Sequence, residues 1–126
     1  MAIHEIPRER WNDELDSFSR QHEEWIVSVI TRTPDGRIAV HARDLPLQGV
    51  SPASARSNDI AIVVGDARSR LTHEVHDPAA LKLDVTDDRA ERALIIDGAD
   101  GTRTTIEFRS PMPADAVDGI PTSGHE

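Results

Sequence analysis

The feature that most constrains this chain is a change of hydrophobic period near residue 25. Before it, Trp11, Leu15 and Phe18 fall at i, i+4 and i+7, with Asn12, Asp13, Asp16 and Ser17 off the stripe. After it, Trp25, Val27 and Val29 alternate with Ile26, Ser28 and Ile30, the period of a strand. A helix carrying one stripe of three large side chains does not hold itself together in water; most of its stability must come from packing. The chain is therefore constrained to a helix laid on β-structure. The spacing predicts that helix over 8–21, with Pro7 suited to its first position, where a missing N–H is harmless. Glu9 near the positive end of the helix dipole, His22 near the negative end and an Asp16–Arg20 pair agree with those limits.

Downstream, alternation and turn chemistry divide the chain into short strands. The stretch 25–30 is apolar enough to be buried on both faces. Thr33-Pro34-Asp35-Gly36 is a turn, since proline presets one φ and glycine accepts a left-handed one. In the next strand Ile38, Val40 and Ala42 are expected inward and Ala39, His41 and Arg43 outward. Residues 45–58, LPLQGVSPASARSN, carry two prolines, a glycine, three serines and an asparagine, and are expected to be a long loop. Further strands are expected at 59–64, 71–75, 81–85, 92–97 and 103–109. The fold class is α+β: one N-terminal helix packed on an antiparallel meander sheet of about seven short strands, either open or curled into a barrel. Residues 1–112 form a single domain, and 113–126, rich in Pro, Gly and acid without periodicity, form a disordered acidic tail.

Composition narrows the chemistry. The 126 residues hold no cysteine, which excludes thiol catalysis, thiolate zinc sites and redox switching. Fourteen basic residues against 23 acidic leave a net charge of −9, which repels phosphates and argues against a nucleic-acid partner. Two Trp and two Phe are too few for a base-stacking surface. No apolar run approaches the roughly 20 residues of a membrane span, and the first residues lack a signal-peptide core, so the expectation is a soluble, cytoplasmic protein with no membrane partner.

The richest cluster of reactive side chains is Leu71-Thr72-His73-Glu74-Val75-His76-Asp77. Two imidazoles with two carboxylates are divalent-metal ligand types. In a strand, however, His73 shares a face with Leu71 and Val75 while Glu74 points away, so His73 is expected as a packed core histidine and no metal site is expected. His22, within Arg20-Gln21-His22-Glu23-Glu24, has the partners of a general base but also suits a helix C-terminus. His41 is expected at the surface. No nucleophile elbow, phosphate loop or dinucleotide-binding glycine pattern is present, and Asp97-Gly98-Ala99-Asp100-Gly101 lacks the bidentate Glu of a calcium loop. No cofactor is expected.

Ile6-Pro7-Arg8 with Trp11, Phe18-Ser19-Arg20-Gln21-His22-Glu23 with Trp25, Pro34-Asp35-Gly36, Ala42-Arg43-Asp44-Leu45-Pro46-Leu47 with Gly49-Val50-Ser51, and Phe108-Arg109-Ser110-Pro111 occur in this order. Together they make residues 3–111 resemble a family of small bacterial proteins of unknown function. The resemblance implies one compact bacterial domain and brings no activity, cofactor or catalytic residue. The function expected is therefore a small non-enzymatic binding or interaction module. The alternative is a small metal-dependent or acid/base enzyme using His73 and His76, with His22 as a further candidate. The apolar strand 59–64, flanked only by Asp59 and Asp66, needs covering if it is an edge, so a homodimer through residues 45–64 is expected.

Overall fold

The computed structural model describes residues 2–53, 59–85 and 90–113. Strand β1 (Ala2–Ile6) leads through a 3-10 turn (Arg8–Arg10) into helix α1 (Trp11–Gln21). Seven strands follow: β2 (Ile26–Arg32), β3 (Ile38–Pro52), β4 (Ile60–Gly65), β5 (Arg70–Val75), β6 (Pro78–Val85), β7 (Ala90–Gly98) and β8 (Arg103–Pro113). They form one antiparallel sheet in the order β1-β6-β7-β8-β2-β3-β4-β5. The α+β class and the N-terminal helix stand as expected. The sheet has eight strands, because residues 2–6, too short to show a period, pair with β6.

The sheet is curled but not closed. Strands β5 and β6 are joined by only His76 and Asp77, yet five strands lie between them in the sheet. The connection turns sharply at Asp77, whose φ is +52°. Arg8 Nη2 donates to Pro78 O (3.1 Å) and Trp11 Nε1 to Ile6 O (2.8 Å), tying the start of α1 to β1 and to this crossing. Inside the curl α1 buries Trp11, Leu15 and Phe18, the stripe read from the sequence, against Val27, Val29, Leu47, Val50, Ile62, Leu94 and Ile106.

The stretch expected as a loop at 45–58 is strand through Pro52; residues 54–58 lie outside the described residues, as do 114–126 of the expected tail. The first half of β3 pairs with β2 and the second with β4, the corner between them falling near Asp44 (φ +54°). Beyond the first residue of β2, Ile26, the helix takes its place beside β3. Ser19 Oγ donates to Val50 O and accepts from Val50 N, both at 2.8 Å, while Leu47 N donates to Trp25 O. Proline count misled because Pro46 lies at the corner and Pro52 ends the strand, positions where a missing N–H is tolerated.

Four expectations about faces and edges are corrected. Ile38 and Val40 point outward and are exposed, because an irregularity opposite Val29 shifts the phase of β3 so that only Ala42 is buried. Strand β2 is buried on one face only; Ile26, Ser28 and Ile30 are half-buried. Leu71 is exposed, since β5 is an edge strand. Strand β4 lies between β3 and β5 with Ile60, Ile62 and Val64 in the core, so the apolar edge behind the expected homodimer through 45–64 does not exist.

Candidate functional site

The curl gives the sheet a covered inner face and an open outer face. Cross-strand pairing arranges the outer face in rows. One row runs Ile3, Asp84, Ala93, Glu107, Ser28 across β1, β6, β7, β8 and β2. The next runs Lys82, Ile95, Thr105, Ile30, Val40, and the third Asp97, Arg103, Arg32, Ile38. Over these rows lie two grooves of about 590 and 320 Å³, both lined by Asp84, Ile95, Thr105 and Glu107. Their sizes fall in the range of ligand clefts.

In the third row Asp97 and Arg103 satisfy each other, while Arg32 has no ion pair among the described residues. Asp97 accepts from Arg103 Nε (2.7 Å) and from Lys82 Nζ (2.8 Å). Burial works upward on the Asp97 carboxyl, but those bonds hold it below the ordinary carboxylate range. Asp84 differs. It is only 9 % exposed, and its Oδ1 is buried without a hydrogen-bond partner. Arg92 Nε stands 3.8 Å from Oδ2, beyond hydrogen-bonding reach. Buried carboxylate oxygens without partners are costly and uncommon in folded proteins.

The inner face holds a second polar group. His22 is 1 % exposed, with Nδ1 2.8 Å from Phe18 O and Nε2 2.5 Å from Glu91 Oε1. A carbonyl can only accept, so Nδ1 carries a hydrogen, and a proton lies between Nε2 and the carboxylate. The ring is boxed by Phe18, Trp25 and Phe108 at centroid distances of 4.3, 4.5 and 5.0 Å. The cavity beside it, about 60 Å³, admits a water or two and no substrate.

The third cluster lies at the β5–β6 crossing. His76 Nδ1 is 3.0 Å from Asp59 Oδ2, and Asp77 N donates to Asp59 Oδ1. The bond from Asp77 N, then that to His76, lowers the Asp59 carboxyl, and Asp59 raises His76. Asp59, Glu74 and His76 can bring one ligand atom each within 4.8 Å of one another. His73 faces elsewhere, stacked on His41 at 4.2 Å, while His41 Nε2 lies 2.9 Å from Thr31 Oγ1. Burial, then the charges of His41 and His76, depress His73.

A family model matches residues 2–117. The chain belongs to the family of unknown function DUF5335. No curated protein and no solved structure matches it. The DUF5335 match spans the helix, all eight strands and each cluster above, in agreement with the resemblance read over residues 3–111. Among the described residues no helix is long and apolar enough to cross a membrane.

Within this DUF5335 chain the three histidines singled out from sequence do not converge. His22 is in the core, His73 leans on His41, and His76 joins Asp59 and Glu74. Sequence reasoning missed Glu91, Asp59 and Asp84 as site residues. Alternation did place Lys82 and Asp84 opposite Leu81 on β6, but nothing in it showed that Asp84 would be buried on the outer face. Glu91 and Asp59 meet their partners at separations of 69 and 17 residues, which local pattern does not reach.

Proposed function

We propose that this chain is a non-enzymatic binding module whose ligand lies on the outer face of the sheet, across β6, β7, β8 and β2. The observation that carries this reading is Asp84: a buried carboxylate oxygen left without a partner where two grooves meet. Leaving such a group unsatisfied costs folding free energy, and a site that awaits a ligand accounts for it. Ile95 and Thr105 supply a floor, and the Asp97–Arg103–Lys82 network stiffens one wall. The test is a two-dimensional amide NMR screen of the full chain against a small-molecule and dipeptide library. Shifts should concentrate on residues 82–84, 93–97, 103–107 and 28–32. Hits concentrated around His22 or the β5–β6 crossing would reject the reading.

Asp59, Glu74 and His76 support a second reading, a metal-dependent protein. The binding-module reading predicts no change in melting temperature on adding zinc. A rise of several degrees that disappears in His76→Ala would favour the second reading instead.

A further inference from the structure

We infer that the outer-face groove seats the guanidinium group of an arginine presented by a polypeptide partner, held between Asp84 and Glu107. This rests on the outer face being the binding face and names what it binds. The two carboxylates belong to one cross-strand row, separated by Ala93 on the intervening strand. Their backbones are therefore two strand spacings apart, about 10 Å. Both side chains stand off the same face, and the grooves that they line leave room for a planar group with donors on both edges. Alanine between them leaves a trough that any larger side chain would fill. Guanidinium suits the trough because it offers five N–H donors in a rigid plane, whereas an ammonium is a point charge that reaches one carboxylate at a time.

The neighbouring residues agree. Glu107 is exposed and makes no ion pair among the described residues, so both of its oxygens face the trough or solvent. Arg92 approaches only the Oδ2 side of Asp84, and Oδ1, shielded from water, keeps an unused hydrogen-bond acceptor. Beyond the trough Arg103 is neutralised by two bonds to Asp97, while Arg32 beside it in the same row keeps its charge and bounds the seat on that side. The apolar face of a guanidinium would rest on the side of the trough formed by Ile95 and the Thr105 methyl, the next row of the sheet. The occupant is longer than one side chain because exposed apolar groups continue the face at both ends: Ile3 beside Asp84, and Ile38 and Val40 beyond Ile30. The net charge of −9 favours encounter with a basic partner.

The test titrates the full chain with three blocked probes followed by amide NMR: acetyl-Leu-Arg-Leu-amide, the same peptide with citrulline in place of arginine, and acetyl-arginine-amide. The arginine peptide should shift the amides of Ala93, Ile95 and Glu107 and bind at least about tenfold more tightly than the citrulline peptide, the worth of one charge-assisted hydrogen bond. Asp84→Asn and Glu107→Gln, neither of which removes volume, should each erase most of that preference. Equal binding of the citrulline peptide at the same residues would overturn the guanidinium assignment while leaving the outer face as a binding surface. Equal binding of acetyl-arginine-amide would overturn the polypeptide partner. No shift on the outer face with any probe would overturn the seat altogether, and the library screen then decides separately whether that face binds anything.

Discussion

Glu91 and Asp84 lie on paired strands, β7 and β6, and face opposite sides of the same sheet. Glu91 points inward and is completed by the chain itself: His22 reaches it from the end of α1, and three aromatic rings box the imidazole. Asp84 points outward, is 9 % exposed, and has an Oδ1 that is buried without a hydrogen bond. The difference separates a polar pair completed within the fold from a carboxylate that the fold leaves incomplete. On the inner face both partners are supplied by the sequence, so the cost of burial is offset within the folded chain. On the outer face Arg92 stays 3.8 Å from Oδ2 and Oδ1 has no partner, so the folded chain carries that cost, which the proposed ligand would offset.

The widest test of this contrast is charge tolerance on the two faces. Ile62→Lys, on a fully buried inner position, should abolish folding, whereas Val40→Lys on the outer face should change stability by less than about 0.5 kcal/mol. Circular dichroism and urea unfolding measure both, and equal sensitivity would mean that the outer face is covered. Next, His22→Ala should cost about 3–5 kcal/mol, because it leaves the Glu91 carboxylate unpaired and opens a cavity among the rings. A loss under about 1 kcal/mol would make the inner pair as dispensable as the outer carboxylate. The sharper comparison is Asp84→Asn, which should leave stability unchanged or raise it by up to about 1 kcal/mol. A loss of 2 kcal/mol there would show that Asp84 is structural after all.

The smallest expected effect is on titration. His76, raised by Asp59, should titrate above the ordinary 6.5 and His73, lowered by burial and by His41, below it. The stabilising effect at His76 is full below about pH 6.5 and is lost as pH rises through its raised folded pKa. The contribution at His73 is present above about pH 6.5 and is lost as pH falls through its depressed folded pKa. Imidazole NMR titration of the two rings should give curves displaced in opposite directions. His41→Asn should move the His73 curve upward; no movement would remove the stacked ring as a cause.

Those residues also show what was legible before any coordinates. The helix was readable because its stripe is strictly local: Trp11, Leu15 and Phe18 are all buried as their spacing required. The last strand was readable for the same reason, with Thr104, Ile106 and Phe108 all on the core face. Strand β3 was half misread because its phase changes at an irregularity and its second half is completed by Ser19 and by β4 rather than by its own composition. The histidines were visible as residue types, but their roles depended on Glu91, Asp59 and His41, which no spacing rule connects to them.

Local residue order sets the periods, and with them the helix, most of the strands and the apolar set that must be hidden. Period is a property of neighbouring residues, and water acts on it wherever the chain goes. Which face each strand finally presents, and which polar groups meet, was decided only when the sheet curled around α1. That curl brings β6 beside β1 and sets Asp84 and Glu107 two strands apart over an alanine. Contacts of this kind join residues far apart in the chain through cross-strand register, and register is fixed by the packing of the whole sheet rather than by any segment of it.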